Sequence, residues 1–343
     1  MPELRYDPLE HRWVIIATER AARPSDLADT TKYNQVKVCP FCESQESQTP
    51  PEIWAIRDPH TSPNSPGWKV RVVPNKFPAL KIEAEGKRFG VGYYDMIEGT
   101  GAHEVIIETP QHDVGLADLP PEHVKWVLLA YRERLKDLYK DPRFRYALIF
   151  KNHGKRAGAS LAHAHSQLIA TPIVPRNVVI KLDAARSHYE SKERCLMCDL
   201  IQQELSNESR IISSQDGFLA IAPYASRFPF EVFIAPVEHN YSYAEISDCD
   251  LQKFAPFFKD ILFRIKKVLD DPPFNFVINT SPNTEAKPKF ADKWVTLKYD
   301  YHWHIDIIPR LVRIAGFEWG SGFYINPSTP EKAAQYLREM KAE

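Results

Sequence analysis

The stretch SLAHAHSQLIATPIVP, from Ser160 to Pro175, places two histidines two residues apart and follows them with a serine and a glutamine. This alternation, continued by an apolar run, predicts a β-strand in which His163, His165 and Gln167 point to the same side. A histidine in a strand is often only half-buried and hydrogen-bonded. Two imidazoles and an amide in one row favour a chemical role instead, and the rest of the chain decides between these interpretations.

The overall composition does not indicate a strongly charged binding partner. The chain has 343 residues and a formal net charge of -1, which is long enough for two domains or one large double domain. Its lysines and arginines are scattered, so nothing indicates nucleic-acid binding. No apolar run approaches the ~20 residues that cross a bilayer, and the polar N-terminus lacks the apolar core of a signal peptide. We therefore expect a cytoplasmic protein with neither a nucleic-acid nor a membrane partner.

Four of the five cysteines form two C-x-x-C pairs, CPFC and CLMC. Disulfides are rare in the cytosol, so each pair belongs either to a metal site or to a redox centre. A redox pair usually opens a helix just after a strand, whereas the first pair here precedes a polar, proline-bearing segment. Two copies so far apart also favour metal binding. Cys249 has no partner in the sequence and is expected to be an ordinary residue.

An internal repeat predicts the fold. HEVIIETPQH, which ends at His112, is echoed by FEVFIAPVEH, which ends at His239. After each come a long helical pattern, an Asp-Pro-x-Phe turn, a strand pattern and an H-x-H pair. This order predicts an α+β protein made of a duplicated unit, each unit an antiparallel sheet covered by a helix. We place the units at residues 1–178 and 179–343, with a polar, helical connector at their boundary.

The repeat also predicts metal ligands. Each half supplies a C-x-x-C pair, a histidine after a strand, and the first histidine of its H-x-H. The two sets are Cys39, Cys42, His112 and His163, and Cys195, Cys198, His239 and His302. Two thiolates and two imidazoles form a closed tetrahedral zinc site with no open position for water. We therefore predict two structural zinc ions per chain.

With His163 used by the metal, His165 becomes a second imidazole held beside a rigid site. A neutral histidine can attack a phosphorus atom and form a covalent intermediate. The amide of Gln167 can donate to the phosphoryl oxygen that gains charge. The second half has His304 and Asp306 at these places. We therefore expect catalysis only in the first half.

A small-residue loop, KNHGKRAGAS, leads into the H-x-H strand. Asn152 ends the preceding strand pattern, and Gly154 and Gly158 allow backbone amides to approach phosphate oxygens closely. Most such loops are only turns. Next to His165 the loop suggests phosphoryl or nucleotidyl chemistry, in which Ser160 and the loop amides hold the same phosphoryl group.

The combination of H-x-H-x-Q, KNHGKRAGAS and CPFC resembles the galactose-1-phosphate uridylyltransferase family of the histidine-triad superfamily, which is built from two histidine-triad-like units. The similarity runs from RYDPLEHRWVIIATERAARP to AGFEWGSGFYINP and covers nearly the whole chain. It implies a ping-pong reaction in which His165 takes a nucleoside monophosphate from a nucleotide sugar and passes it to a sugar 1-phosphate. It also implies a homodimer, because the C-terminal segment of the family reaches the partner's active site.

The resemblance assigns further residues to the substrates. Those matching nucleotide contacts of the family are Arg20, Arg23 and Asn75. Those matching its phosphate surroundings are Asn152, Gly158, Ser160 and Gln167. Those lying where related proteins approach the sugar or the acceptor are Arg313, Phe317 and Glu318.

The motifs leave the substrate open. The best-studied uridylyltransferases have H-P-H-G-Q and Asn-Asp-Phe, where this chain has HAHSQ and Asn75-Lys76-Phe77. HAHSQ and GFEWGSGFYINP are more similar to a plant branch of ADP-glucose phosphorylases, whose second metal site uses the same cysteine and histidine set. The main interpretation is transfer of UMP between UDP-glucose and a hexose 1-phosphate, in galactose metabolism. The alternatives are AMP transfer from ADP-glucose to phosphate, and a zinc-containing nucleotide-binding protein without turnover.

Overall fold

The computed structural model describes residues 2–18, 38–286 and 294–340 as a mixed α+β protein. Its strands are β1 Glu3–Asp7, β2 Arg12–Ile16, β3 Trp54–Arg57, β4 Trp68–Pro74, β5 Arg88–Val91, β6 Tyr94–Ile97, β7 Ala102–Ile107, β8 Tyr146–His153, β9 His165–Thr171, β10 Ile211–Gln215, β11 Phe218–Ile221, β12 Val232–Pro236, β13 Phe274–Asn279, β14 His304–Pro309 and β15 Tyr324–Asn326. Its α-helices are α1 Pro121–Leu138, α2 Arg176–Lys192, α3 Leu196–Asn207, α4 Asp248–Leu269, α5 Leu297–Asp300, α6 Gly316–Ser321 and α7 Pro330–Glu339. The predicted α+β class is confirmed.

Ten strands form one continuous sheet in the order β10-β11-β12-β14-β13-β8-β9-β7-β4-β3. Neighbouring strands in this sheet are antiparallel throughout. Strands β1, β2 and β15 form a separate sheet, in which β2 and β15 run parallel. Strands β5 and β6 form an exposed hairpin. The large sheet carries both H-x-H motifs.

The large sheet repeats itself about its centre. Strands β3, β4, β7, β9 and β8 correspond to β10, β11, β12, β14 and β13, and the two halves meet where β8 pairs with β13. Gln167 lies opposite Val105 on β7, and Asp306 lies opposite Phe233 on β12. Gln167 and Asp306 therefore occupy equivalent positions, as the repeat predicts. We expected one sheet for each unit, and the structure instead joins both into a single sheet.

Helices α1 and α4 cover one face of the sheet, one in each half. Helix α1 begins with Pro121 at its first position, where the missing N–H of proline leaves no hydrogen bond unmade. Helix α4 is capped by Ser247, whose side chain accepts a hydrogen bond from the N–H of Asp250. The buried faces of both helices pack together and against the sheet in one core. This core covers the helix-side face of the sheet at both H-x-H motifs.

The opposite face is covered differently in the two halves. In the C-terminal half, the face of β11 and β12 that includes Leu219 and Phe233 packs against α3 and against Leu9. In the N-terminal half, the equivalent face, which includes Val105, packs against Phe41. A helix and the β1–β2 turn thus bury in one half the surface that a loop covers in the other.

One local expectation differs from the structure. Strands β9 and β14 begin at His165 and His304, so the first histidine of each H-x-H precedes the strand instead of lying in it. Its position is fixed by contacts with cysteines rather than by strand alternation. The second C-x-x-C opens helix α3, with Cys195 at the N-cap, but it follows helix α2 and not a strand.

The predicted connector is helix α2, and the boundary that we place between residues 178 and 179 falls inside it. Across the described ranges, none of the helices has both the length and the apolar character needed to span a membrane.

Candidate functional site

The four ligands predicted in the first half come together just before β9. Sγ of Cys42 lies 3.3 Å from Nδ1 of His112 and 3.6 Å from Nδ1 of His163. Sγ of Cys39 lies 3.7 Å from Nδ1 of His163. A tetrahedral zinc ion with Zn–S of ~2.3 Å and Zn–N of ~2.05 Å separates sulfur from nitrogen by about 3.6 Å. The cluster therefore has the donor set and the spacing of a closed tetrahedral metal site.

The second half forms the same cluster. Sγ of Cys198 lies 3.4 Å from Nδ1 of His239 and 3.6 Å from Nδ1 of His302. Cys195 completes the set, whose ligand atoms all lie within 4.8 Å of one another. Both predicted quartets are thus assembled, and each could hold one metal ion.

Main-chain carbonyls hold three of the four cluster histidines in the tautomer that binds metal through Nδ1. Nε2 of His163 lies 2.7 Å from the carbonyl oxygen of Thr109. Nε2 of His302 lies 3.0 Å from the carbonyl oxygen of Pro236, and Nε2 of His239 lies 2.9 Å from that of Lys298. Because a carbonyl only accepts, each Nε2 carries the proton and each Nδ1 keeps its lone pair. Such outer hydrogen bonds orient histidine ligands in metal sites generally.

The same rule fixes the tautomer of His165 in the opposite sense. Its Nδ1 donates to the carbonyl oxygen of His163 over 2.8 Å, so the lone pair lies on Nε2. The residue is only 6% exposed, and its ring meets that of Phe41 with 5.3 Å between centroids. Burial lowers the pKa of His165, and the Lys151 ammonium lowers it further, so the ring is neutral at pH 7. A neutral imidazole with its lone pair on Nε2 is the form that can attack phosphorus.

Gln167 and Asn75 meet at a histidine that no sequence motif singled out. Nε2 of His103 lies 2.9 Å from Oε1 of Gln167 and 3.1 Å from Nδ2 of Asn75. Alternation along HEVII places His103 on the same face as Val105, but the sequence does not reveal which strand lies beside it. The structure therefore joins two of the predicted residues through an unpredicted one.

The loop between β8 and β9 depends on two glycines. Gly154 and Gly158 have φ values of +82° and +92°, in the left-handed region. A Cβ atom on Gly154 would lie 2.6 Å from Cβ of Pro273, so only glycine fits there. Gly158 and Ser160 are exposed. The loop thus presents small residues, as the sequence predicts.

Asn275 connects this loop to the sheet and orients Asn152. Nδ2 of Asn275, on β13, donates to Oδ1 of Asn152 and to the carbonyl oxygen of Ala157, both over 2.8 Å. Ser160 makes no hydrogen bond within the described part of the chain. The structure therefore gives Asn152 a supporting contact and leaves Ser160 at the surface.

A buried polar network lies behind His165, on the helix side of the sheet. Nζ of Lys151 lies 2.6 Å from Oε2 of Glu108 and 3.1 Å from the carbonyl oxygen of His165. Ser166 donates to Glu108, and its Oγ lies 2.6 Å from the hydroxyl oxygen of Tyr131. The Lys151 ammonium therefore holds the main chain at the start of β9. Nothing in the sequence predicted the network, because its members come from four separate elements.

The second half has no equivalent of the Lys151–Ser166 pair. Strand register matches Ser166 with Ile305 and Lys151 with Ile278, so isoleucines replace the polar pair. Both isoleucines belong to the central apolar core. The polar network is thus a property of the half that contains His165.

His304 has the same tautomer as His165, but the lone pair on its Nε2 accepts a hydrogen bond from Lys181. Its Nδ1 lies 3.0 Å from the carbonyl oxygen of His302, and Nζ of Lys181 lies 2.8 Å from its Nε2. Lys181 also pairs with Asp306 and with Glu10, at 3.0 Å and 3.1 Å. Burial, reinforced by Lys181, lowers the pKa of His304 to about 3, so the ring is neutral and accepts from the ammonium. The second H-x-H therefore has no available nucleophile.

The remaining predicted residues are not joined to His165. Arg313 and Glu318 line a cleft of about 290 Å³ that Arg227 also lines, in the C-terminal half. Phe317, in α6, is 49% exposed. Among the described residues, no hydrogen bond or ring contact connects these three to the β9 site. Arg20 and Arg23 lie in residues 19–37, outside the described residues.

A neutral histidine, a neighbouring amide and a glycine loop suit the transfer of a phosphorus-linked group, and comparison with known proteins defines the class: the chain is a nucleotidyltransferase. The model of the galactose-1-phosphate uridyl transferase N-terminal domain matches residues 1–175, and that of the C-terminal domain matches residues 181–343. The chain therefore belongs to the galactose-1-phosphate uridyl transferase family, as its motifs predict.

Relatives of two activities match over nearly the full length. ADP-glucose phosphorylase of Arabidopsis thaliana is 35% identical over 346 residues, covering 99% of this chain and 93% of that protein. Galactose-1-phosphate uridylyltransferase of Thermotoga maritima is 29% identical over 351 residues, covering all of both. The solved structure of the Arabidopsis ADP-glucose phosphorylase with bound ADP-glucose has a TM-score of 0.83 at 33% identity, with full coverage of both chains. A solved uridylyltransferase has a TM-score of 0.74 at 27% identity, covering 99% and 98%.

Proposed function

We propose that this protein transfers a nucleoside monophosphate from a nucleotide sugar to a phosphate-bearing acceptor through a covalent intermediate on His165. The observation that carries the proposal is the hydrogen bond from Nδ1 of His165 to the carbonyl of His163, which leaves Nε2 as the nucleophile. In the first step Nε2 attacks the α-phosphorus, an N–P bond forms, the bond from that phosphorus to the bridging oxygen breaks, and the sugar 1-phosphate leaves. In the second step an acceptor phosphate oxygen attacks the same phosphorus, and the N–P bond breaks.

The neighbouring residues take the roles that this reaction needs. The amide of Gln167 donates to a non-bridging oxygen as negative charge develops on it. Asn152, Ser160 and the amides around Gly158 hold the phosphates, and Asn275 orients Asn152 by donating to its Oδ1. Asn75, Arg20 and Arg23 contact the nucleotide, and Arg313, Phe317 and Glu318 serve the sugar or the acceptor.

For the substrates, we propose UDP-glucose as the donor and a hexose 1-phosphate, such as galactose 1-phosphate, as the acceptor. The family to which the chain belongs and the full-length match to the uridylyltransferase of Thermotoga maritima support this choice. The enzyme would then act in galactose metabolism.

A second candidate is ADP-glucose as the donor and inorganic phosphate as the acceptor. The 35% identity to the Arabidopsis ADP-glucose phosphorylase supports it. The solved structure of that relative contains ADP-glucose and superposes with a TM-score of 0.83. The reaction at His165 is the same in both candidates, and only the base and the acceptor differ.

A labelling experiment tests both candidates. Purified protein is mixed with UDP-glucose or ADP-glucose labelled in the base, and the label retained on the denatured protein is counted. The proposal expects label from at least one donor, release of that label by the matching acceptor, and no label on His165→Asn. His60→Asn, which changes an exposed histidine in a turn, should label normally. If neither donor labels the wild-type protein, the transferase proposal fails and nucleotide binding without turnover remains.

We propose that each Cys₂His₂ cluster holds one structural zinc ion. The sulfur–nitrogen distances and the tautomers of His163, His239 and His302 support this assignment. Zinc at these sites would tie each C-x-x-C segment to the sheet beside it. In the first half it would also fix His163, whose carbonyl orients His165.

We propose that the protein is a homodimer. Trp319 and Phe317 are 77% and 49% exposed on α6, and exposed aromatic side chains of this kind commonly mark an interface. A partner covering them would bring Arg313 and Glu318 close to a second subunit. Sedimentation equilibrium should give twice the chain mass of 39.5 kDa, and Trp319→Glu should shift the mass towards the monomer. A fully active wild-type monomer would contradict the proposal.

We further propose that the unit at 1–178 performs catalysis and that the unit at 179–343 has lost it. The contrast between His165, with its lone pair on Nε2, and His304, bonded to Lys181, supports this division. A cytoplasmic location fits cysteines that are all free thiols, because a reducing compartment keeps thiolate ligands available.

A further inference from the structure

His103 and Gln167 are diagonal neighbours on one face of the sheet. Val105 lies directly opposite Gln167, and His103 lies two residues before Val105 on β7. Nε2 of His103 is 2.9 Å from Oε1 of Gln167. A histidine at this distance can either donate to the amide oxygen or accept from the amide NH₂. The direction decides which end of Gln167 remains for a ligand.

A main-chain group settles that direction. The N–H of Ala79 donates to Nδ1 of His103 over 3.1 Å. A main-chain N–H cannot act as an acceptor, so Nδ1 carries the lone pair and the neutral ring carries its proton on Nε2. The Nε2–H of His103 therefore donates to Oε1 of Gln167. The NH₂ of Gln167 is the end left for the substrate.

With the proton on Nε2, His103 cannot accept a hydrogen bond from the neighbouring amide of Asn75. Its Oδ1 accepts from the N–H of Phe77 over 2.9 Å, so its Nδ2 is the atom 3.1 Å from Nε2 of His103. Two donors in contact gain nothing from each other. In this assignment the Asn75 NH₂ makes no hydrogen bond to His103, and the Nε2–H of His103 is left to Gln167.

The second half provides an internal comparison. Counted back from Phe233, which is opposite Asp306, the counterpart of His103 is Glu231, whereas the sequence repeat aligns His103 with Phe230; neither is a histidine. Glu231 forms an ion pair with Arg227. The half without an available nucleophile has therefore lost both the amide and the histidine beside it.

We propose that His103 is a positioning residue that fixes the amide of Gln167 with its NH₂ towards the transferred phosphoryl group. The inference rests on the proposed function, because Gln167 must act as a donor to that group. His103 itself contacts no substrate in this role. It removes the alternative orientation of Gln167, in which a carbonyl oxygen would face the phosphoryl oxygens and repel them.

Two nearly isosteric variants separate positioning from packing. In His103→Gln the new amide can still donate to Oε1 of Gln167, whereas in His103→Glu the carboxylate only accepts and turns the Gln167 NH₂ away. The rate of label attachment at saturating donor is measured by rapid quench. We expect His103→Gln to stay within about fivefold of the wild type and His103→Glu to be slower by ~10²–10³, the usual loss for one oxyanion donor. His60→Glu serves as the surface control.

The same variants are then made in a Gln167→Ala background. If His103 acts through Gln167, the Gln and Glu variants should label at the same rate there, within about twofold, because no amide remains to be turned. Equal rates for His103→Gln and His103→Glu with Gln167 present, or a full Glu effect in the Gln167→Ala background, would overturn the inference while the wild type still labels. If the wild type takes label from neither donor, the proposed function fails first and the inference falls with it.

Discussion

Nζ of Lys181 lies 2.8 Å from Nε2 of His304, so a buried lysine occupies the lone pair that corresponds to the nucleophile of the other half. Lys181 is held there by Asp306 and Glu10. The two halves thus share the H-x-H geometry and differ in what surrounds the second imidazole. In the proposed mechanism this difference leaves His165, and not His304, as the nucleophile.

Changing His304 should not affect labelling. Wild-type protein should take up about one nucleotide per chain, and His304→Gln should take up the same amount, because the lone pair of His304 is already bonded to Lys181. Scintillation counting of quenched protein, with chain concentration from absorbance, measures the ratio. A ratio near two in the wild type, or a fall by half in His304→Gln, would show that the second histidine also reacts.

Metal content should depend on both cysteine pairs. Elemental analysis of wild-type protein should find about two zinc ions per chain, and Cys39→Ser or Cys195→Ser should lose about one each, because a closed site needs all four ligands. Each variant should also unfold at a lower temperature, since metal binding stabilises the folded state. The matched control is Cys249→Ser, whose thiol is exposed and lies outside both clusters. Finding no zinc, or one ion only, in the wild type would refute the paired assignment.

The buried pair behind His165 should matter for stability. Lys151→Met leaves the Glu108 carboxylate without its ammonium, and removing one partner of a buried pair typically costs ~3–5 kcal/mol. The side chains of Lys151 and Glu108 are 3% and 0% exposed. Urea unfolding measures the cost. Lys140→Met, which removes a 78% exposed lysine from a surface pair, should cost less than ~1 kcal/mol. If both variants lost a similar free energy of unfolding, the buried pair would contribute no more to stability than the surface pair.

Stability should depend on pH through Glu10. Burial alone raises the pKa of Glu10, but Lys181 and Arg12 together lower it below the ordinary 4.5. A carboxyl whose pKa is lower in the folded state stabilises the protein above its unfolded pKa, and this contribution is lost as the pH falls through the folded value.

Glu10→Gln should therefore reduce the free energy of unfolding most near neutral pH. The difference from the wild type should shrink as the pH falls below about 4.5 and approach zero below the folded pKa of Glu10. Paired urea titrations of both proteins at each pH isolate this group from other acid effects. A difference that stays constant, or grows on acidification, would contradict the sign.

The two Cys₂His₂ clusters could be predicted because the same cysteine and histidine pattern occurs in both halves of the sequence. The spacings CPFC and CLMC, and the histidines at 112 and 239, recur at equivalent places, so each half supports the assignment of the other. The H-x-H-x-Q motif then placed His165 and Gln167 on one face without knowledge of the neighbouring strands. The structure keeps this arrangement, although His163 itself precedes the strand.

The contacts that could not be predicted join elements that lie far apart in the sequence. His103 reaches Gln167 only because β7 lies beside β9, and Lys181 reaches His304 from a helix whose pattern shows no special polar position. The pairing of β8 with β13 merges the two units through apolar residues such as Phe150 and Val277, which fit the edge or the centre of a sheet equally well. Strand order and the position of helix α2, and not residue type, decide these contacts.

The most direct test of the account locates the covalent bond. Protein labelled from the reactive nucleotide sugar is digested at high pH and mapped by mass spectrometry. The account predicts one nucleotidylated peptide that contains His165, with a bond that is stable in base and lost in acid, as expected for an N–P bond to imidazole. His165→Asn should retain its fold and zinc content and carry no label. A nucleotide that survives acid, that maps to another residue, or that remains on His165→Asn would contradict the central claim.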